Sequence, residues 1–167
     1  MEEPGDLSTL KSVLADNSLA ADQLGLLFHS GLSDPAYEQT PRNTLTFAST
    51  GGDGVHFGYL VMAGGVGDDD PIVMTVPSAE KPNRVVGRNL RHFLGLGRRS
   101  GYFVLEQLQY DFAGTVAALD RRDLSFPDEI ERAALDAIAQ SLGVVDWHDH
   151  AAVLASLESE FAASLDV

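Results

Sequence analysis

Five consecutive residues, Asp146-Trp147-His148-Asp149-His150, concentrate the side chains best suited to chemistry. A His-x-His pair sets two imidazoles on one side of an extended segment, and Asp146 offers a third metal ligand or an acid/base partner. The competing reading is a linker between two helices, with Asp149 as N-cap and Trp147 as core anchor. Asp68-Asp69-Asp70 offers the hard oxygens that calcium takes, without the D-x-D-x-D-G spacing and closing Glu that spread ligands around one ion. It reads as a solvated loop. Gly51-Gly52-Asp53-Gly54 has the composition of a phosphate loop, but that use needs a helix behind it. A strand-like run follows instead, so Gly51, Gly52 and Gly54 are expected to form a structural turn. His29, His56 and His92 stand alone, and no G-x-S-x-G, H-E-x-x-H or Ser-His-Asp order occurs. No catalytic residue, metal ligand or cofactor is assigned.

One charge feature rises above composition. Residues 81 to 105 contain Lys81, Arg84, Arg88, Arg91, Arg98 and Arg99 and no acid. On a helix over 84–99 the five arginines would fall within an arc of about 100°, opposite Val86, Leu90 and Phe93. Gly87, Gly95 and Gly97 weaken that helix. Arg84, Arg88 and Arg91 are the candidate binding residues, since guanidinium forks hold carboxylates or phosphates bidentately. The alternative is that the stripe packs on the chain's own acidic surface.

The elements that must position these groups follow from periodicity. Asp6 can cap a helix carrying Leu7, Leu10 and Leu14. A second helix fits Ser18 to Ser30 through Ala20, Leu24, Leu27 and Phe28, with Gly31 as its stop. Ser33 to Asn43, with Pro35 and Pro41, reads as a loop. Three strands come next: Thr44 to Ser49, the run with Val55, Phe57, Tyr59 and Val61 on one face, and Ile72 to Val76 between prolines. The Gly51–Gly54 turn joins the first two, and Ala63 to Asp70 forms a loop before the third. Helices are predicted from Val85 to about Leu96 and along Leu105 to Leu119, the latter broken near Gly114. Another starts at Ser125-Phe126-Pro127-Asp128, carries Ile130, Ala134 and Ile138 inward and stops at Gly143. The last runs from Asp149 to Leu165. Strands grouped between runs of helix indicate an α+β fold rather than a parallel βαβ sheet.

Composition narrows function. A chain of 167 residues, 44% hydrophobic and 22% charged, suits one globular domain. The absence of cysteine removes disulfides, thiolate zinc sites and a cysteine nucleophile, and suits a reducing cytoplasm. The acidic start Met1-Glu2-Glu3-Pro4-Gly5 does not read as a signal peptide, and no stretch reads as a membrane span. A net charge of −14 argues against nucleic acid and anionic membranes. It suits either solubility or the steering of a basic protein partner.

Phe47-Ala-Ser-Thr-Gly-Gly-Asp-Gly-Val-His-Phe57, then Pro71-Ile-Val, then Asn89-Leu-Arg-His-Phe-Leu94, resemble the SMI1/KNR4 (SUKH) superfamily. There a strand enters a glycine turn, a second strand and a Pro-Val strand follow, and a helix comes next. The similarity covers roughly residues 44 to 97. It implies one domain over 1–167, with an antiparallel, strongly bent sheet at about 44–77 wrapped by N- and C-terminal helices. A C-terminal helical extension would begin near 120. It also implies a non-enzymatic, cytoplasmic protein-binding role, such as an immunity protein that occludes a basic toxin. Two other functions stay open on the residues alone. One is a small metal-dependent hydrolase using Asp146, His148 and His150; the other is a sensor of an anionic ligand through Arg84, Arg88 and Arg91.

Overall fold

A computed structural model describes residues 2–16, 18–34, 37–62, 64–124 and 127–167. Met1, Pro35, Ala63, Ser125 and Phe126, which entered the sequence reading, lie outside the described residues. Helices α1 (Gly5–Ala15) and α2 (Ser18–Leu24) precede five strands: β1 (Leu27–Ser33), β2 (Thr44–Ser49), β3 (His56–Leu60), β4 (Ile72–Thr75) and β5 (Asn83–Gly87). Then come α3 (Leu90–Leu96), a 3-10 helix (Phe103–Gln109), α4 (Phe112–Arg121), α5 (Glu129–Leu142), α6 (His150–Phe161) and a short 3-10 turn (Ala162–Ser164).

The strands form one open antiparallel meander in the order β1-β2-β3-β4-β5. The fold is α+β, as expected, with two strands more than the sequence suggested. Register slips between β1 and β2, between β2 and β3 and between β4 and β5 curl the sheet, because each unpaired residue adds local bend and twist. Strand β3 is buried along its whole length, so both faces of the sheet are covered at the centre.

Residue alternation separates those faces. Phe57 and Tyr59 point to the helical side, where Phe93 of α3 is the hub of a ring cluster. Its centroid lies 4.8 Å from Phe57, 6.4 Å from Phe47 and 5.2 Å from Tyr102. The Tyr102 hydroxyl, fully desolvated, donates to the Leu94 carbonyl at 2.9 Å. His56, Thr46 and Thr75 point to the other side, a buried layer of hydroxyl and imidazole groups.

Several expectations change. The single helix Ser18–Ser30 is instead α2 and then β1. Gly25 adopts φ +78°, which ends the helix, and a Cβ there would lie 2.7 Å from the Phe103 backbone nitrogen. Gly31 sits inside β1, not at a helix stop. The helix expected from Val85 is strand β5 as far as Gly87. Asn89 then caps α3 by accepting from the His92 N–H at 2.9 Å. The break expected near Gly114 lies at Asp111, whose side chain caps α4. Asp6 lies within α1, and the Asp68 carboxylate accepts its N–H at 2.8 Å. Helix α5 opens on an Asp128/Glu131 capping box and stops at left-handed Gly143; Ala134 and Ile138 are buried while Ile130 is exposed. Among the described residues no helix is long and apolar enough to cross a membrane.

Candidate functional site

The three candidate arginines do not share a helix: Arg84 is on β5, Arg88 is in the turn after it, and Arg91 is on α3. Each meets groups of its own chain. Arg84 lies 4.6 Å over the Phe112 ring, bonds Gln109 Oε1, and stands 3.8 Å from Glu158 of α6. Burial pulls its pKa down, against the pull of Glu158. Arg88 pairs with Glu160 and donates to the Ser156 hydroxyl at 3.2 Å. Arg91 forks Asp6 of α1. Arg98 and Arg99 reach Asp136 and Asp146, at 2.6 and 2.7 Å. The basic window thus joins elements to one another.

The Asp146–His150 segment adopts the capping and anchoring geometry of a linker. Asp146 faces Arg99, and Trp147 donates to the His92 carbonyl at 2.8 Å while stacking on that imidazole at 4.5 Å. Asp149, at φ +53°, caps α6 by accepting from Ala152 N–H. His150 is buried and turns to Asp120, which accepts from its backbone N–H at 3.1 Å and lies 2.6 Å from its Nδ1. The bonds from His150 hold the Asp120 carboxyl below the usual range. His148 is exposed. A cavity of about 220 Å³ lies here, and none of its lining residues carries a hydroxyl or thiol nucleophile. Among the described residues no three His, Asp or Glu side chains are placed to hold a metal ion. Asp120, absent from the sequence reading, fixes the orientation of the His150 ring through Nδ1.

The glycine turn is where exposed groups converge. Gly51, Asp53 and Gly54 take φ of +83°, +48° and +74°. Thr50 N–H to the Val55 carbonyl (3.0 Å) and Val55 N–H to the Gly52 carbonyl (3.1 Å) close the hairpin between β2 and β3. Bare glycine lets two exposed rings lie on the turn. A Cβ on Gly52 would come 3.6 Å from the Phe103 ring, and one on Gly54 would come 2.8 Å from the tip of Tyr37. Asp53 at the tip faces Glu106, whose carboxyl is pushed up by burial first and by the Asp53 charge second. Tyr37 thus lies against Gly54, Phe103 against Gly52, and the Asp53 and Glu106 carboxylates are close enough to feel each other's charge.

No family model matches the chain, and no curated protein or solved structure matches it significantly.

Beneath the turn is a cavity of about 350 Å³ lined by His29, Ser33, Tyr37, Thr46, Ser49 and His56 beside the glycines. His56 Nδ1 lies 2.7 Å from the Gly54 carbonyl, which only accepts, so Nδ1 carries the proton and Nε2 accepts the Thr40 hydroxyl at 3.1 Å. Burial holds this imidazole below its ordinary pKa, and the Tyr37 ring stacks on it at 5.5 Å. Thr46 is 3% exposed and its hydroxyl has no partner among the described residues. Tyr37, Thr46 and Phe103 were not singled out from the sequence. An aromatic residue a few positions after a loop proline carries no mark of exposure, and the sequence pattern divides β1, which brings His29 and Ser33 here, between a helix ending at Ser30 and a loop starting at Ser33.

Proposed function

We propose that this chain is a protein-binding module of SMI1/KNR4 type that occludes a basic partner, as an immunity protein does a toxin. The observation that carries the reading is the glycine turn, which holds exposed Phe103 against Gly52 and exposed Tyr37 against Gly54, with the carboxylates of Asp53 and Glu106 near one another beside it. Aromatic rings anchor interfaces because they bury large area at low entropic cost, and unpaired acids steer a basic protein in. The charge distribution points the same way. Lys11, Arg42, Arg84, Arg88, Arg91, Arg98, Arg99 and Arg121 all face carboxylates of this chain. Exposed Asp22, Asp34, Glu38, Asp53 and Glu80 face no cation among the described residues, so the external field is acidic. Mechanism then reduces to docking: fast encounter from charge and slow release from buried rings.

The test is capture from extracts of the native host at about 50 mM and about 500 mM salt, which shortens the Debye length severalfold. A basic protein should be retained at low salt by the native chain. The double variant Asp53→Lys, Phe103→Ala should lose most of it. Recovery of no specific protein at either salt, or equal retention by the double variant, would reject the reading.

A further inference from the structure

Strand β1 is the open edge of the sheet, with β2 as its one strand neighbour. Outside that pairing, no backbone N–H or carbonyl of residues 27–33 is bonded to another described part of the chain. The pairing is itself partial. Phe28 stands opposite Ala48 and Ser33 opposite Thr46, so residues 29–32 bow out against Phe47 alone. Edge strands are ordinarily guarded by lysine, proline, a bulge or a covering element, and of these β1 shows the bulge at residues 29–32. Leu27-Phe28-His29-Ser30-Gly31-Leu32-Ser33 contains no charge and no proline, and Ser30 is exposed. A Cβ built on Gly31 meets nothing within 4 Å, so the middle of the edge opens to solvent.

Two cavities adjoin this edge. On the hydroxyl side lies the cavity of about 350 Å³ that His29 and Ser33 line. At the Leu27–Phe28 end, beside α1 and α2, lies one of about 290 Å³ lined by Leu27 and Phe28 with Lys11, Leu14, Ala15, Ala21, Asp22 and Leu26. Because side chains of a strand alternate between faces, a strand laid along β1 would send successive residues into the two cavities. The first offers hydroxyls, including the unpartnered Thr46, and the second offers mostly apolar walls edged by Lys11 and Asp22. Backbone bonds would supply affinity and the paired cavities selectivity.

The geometry points to β1 as a strand-addition site for an extended, basic segment of another protein. Charge selects that occupant. The chain carries −14, Asp34 follows β1 directly and Asp22 lines the cavity beside Leu27 and Phe28, so a second copy of this chain is repelled and a lysine- or arginine-bearing strand is drawn in. This inference rests on the protein-binding reading and names how the partner is held.

The test uses the full chain, isotopically labelled, and three capped nine-residue peptides: alternating lysine and valine, alternating glutamate and valine, and the lysine–valine peptide N-methylated at every second residue. The lysine–valine peptide should shift the amides of residues 27–33 and of the two cavity linings. N-methylation, which removes the bonding N–H groups, should weaken binding at least tenfold, and the glutamate peptide should not bind. Gly31→Lys, which meets no clash, should also weaken the lysine peptide about tenfold while the chain keeps its melting temperature. Shifts absent from 27–33, equal binding of the N-methylated peptide, or self-association through β1 in sedimentation would each overturn the inference. If the edge fails while host capture still depends on Asp53 and Phe103, strand addition is wrong and the protein-binding reading stands.

Discussion

Arg91 grips Asp6 through two parallel bonds, Nε to Oδ2 at 2.6 Å and Nη2 to Oδ1 at 2.7 Å, and so fastens α3 to α1. Asp6 is only 7% exposed, so removing the guanidinium leaves a nearly buried carboxylate without its cation. Arg91→Ala should lower stability in urea by about 1–3 kcal/mol, the range for leaving a buried acceptor unsatisfied, since the half-exposed guanidinium side lets water reach the carboxylate. Arg91→Lys keeps the charge without the fork and should recover part of that loss. Neither variant should change capture of a partner at the glycine turn. A capture defect at unchanged stability would instead restore Arg91 as a binding residue.

The turn separates strain from contact. Gly54→Ala must hold φ near +74° with a Cβ 2.8 Å from the Tyr37 tip, so it should cost about 1–2 kcal/mol and displace the ring. Gly52→Ala meets the Phe103 ring at 3.6 Å, an ordinary contact, and its φ is not positive. It should be nearly neutral. Urea unfolding of the two variants side by side checks the difference. Equal losses would mean that Tyr37 and the left-handed backbone do not define this turn.

What the sequence made legible was local. The Thr44–Ser49 strand, the glycine turn, the proline-bounded Ile72–Thr75 strand, the Gly143 stop and the Asp149 cap are each set by neighbouring residues, and each is present. The errors came where two elements shared one helical period. Ala20, Leu24, Leu27 and Phe28 fit a continuous helix, yet Gly25 breaks it because the chain must turn against Phe103, a contact far along the sequence. Val86, Leu90, Phe93 and Leu94 fit another, although the β-branched Val85-Val86 pair followed by Gly87 and Asn89 held the signal of a strand and a cap. The lost β1 hid the edge and the cavity beside it. The arginine stripe was misplaced for the same reason, since its arc presupposed one helix through residues 84–99.

Two imidazoles make stability depend on pH near neutrality. Burial lowers the pKa of His56, with the Gly54 bond opposing, and burial and then Arg88 lower that of His92. A depressed pKa means that the folded chain binds these protons less readily than the unfolded one. Their contribution is therefore whole above the ordinary value of 6.5 and is lost as pH falls through the lower folded values. Melting temperature should fall between pH 7.5 and 5, and His56→Gln with His92→Gln should flatten that slope. Asp120, depressed from 3.8, acts in a separate and more acidic window. A slope unchanged in the double variant would assign the acid sensitivity elsewhere.

Thr46 and Tyr59 both keep buried hydroxyls without a partner among the described residues, but they lie on opposite faces of the sheet. A buried group that gives up water without gaining a bond is destabilising by about 1–3 kcal/mol. Thr46→Val and Tyr59→Phe remove the hydroxyl and nearly preserve shape. Each should raise stability by about 0.5–1 kcal/mol, or roughly 1–4 °C in melting temperature. Tyr59 belongs to the core beside Phe47, where burial and the charges of Asp68 and Asp6 push its phenol up; nothing there reaches a cavity beside β1. Its variant should leave binding of the lysine–valine peptide untouched. Thr46 lines the cavity that an added strand would enter, so its variant should gain stability and bind that peptide more weakly. Equal binding by both variants would show that the orphaned hydroxyl at Thr46 serves no ligand.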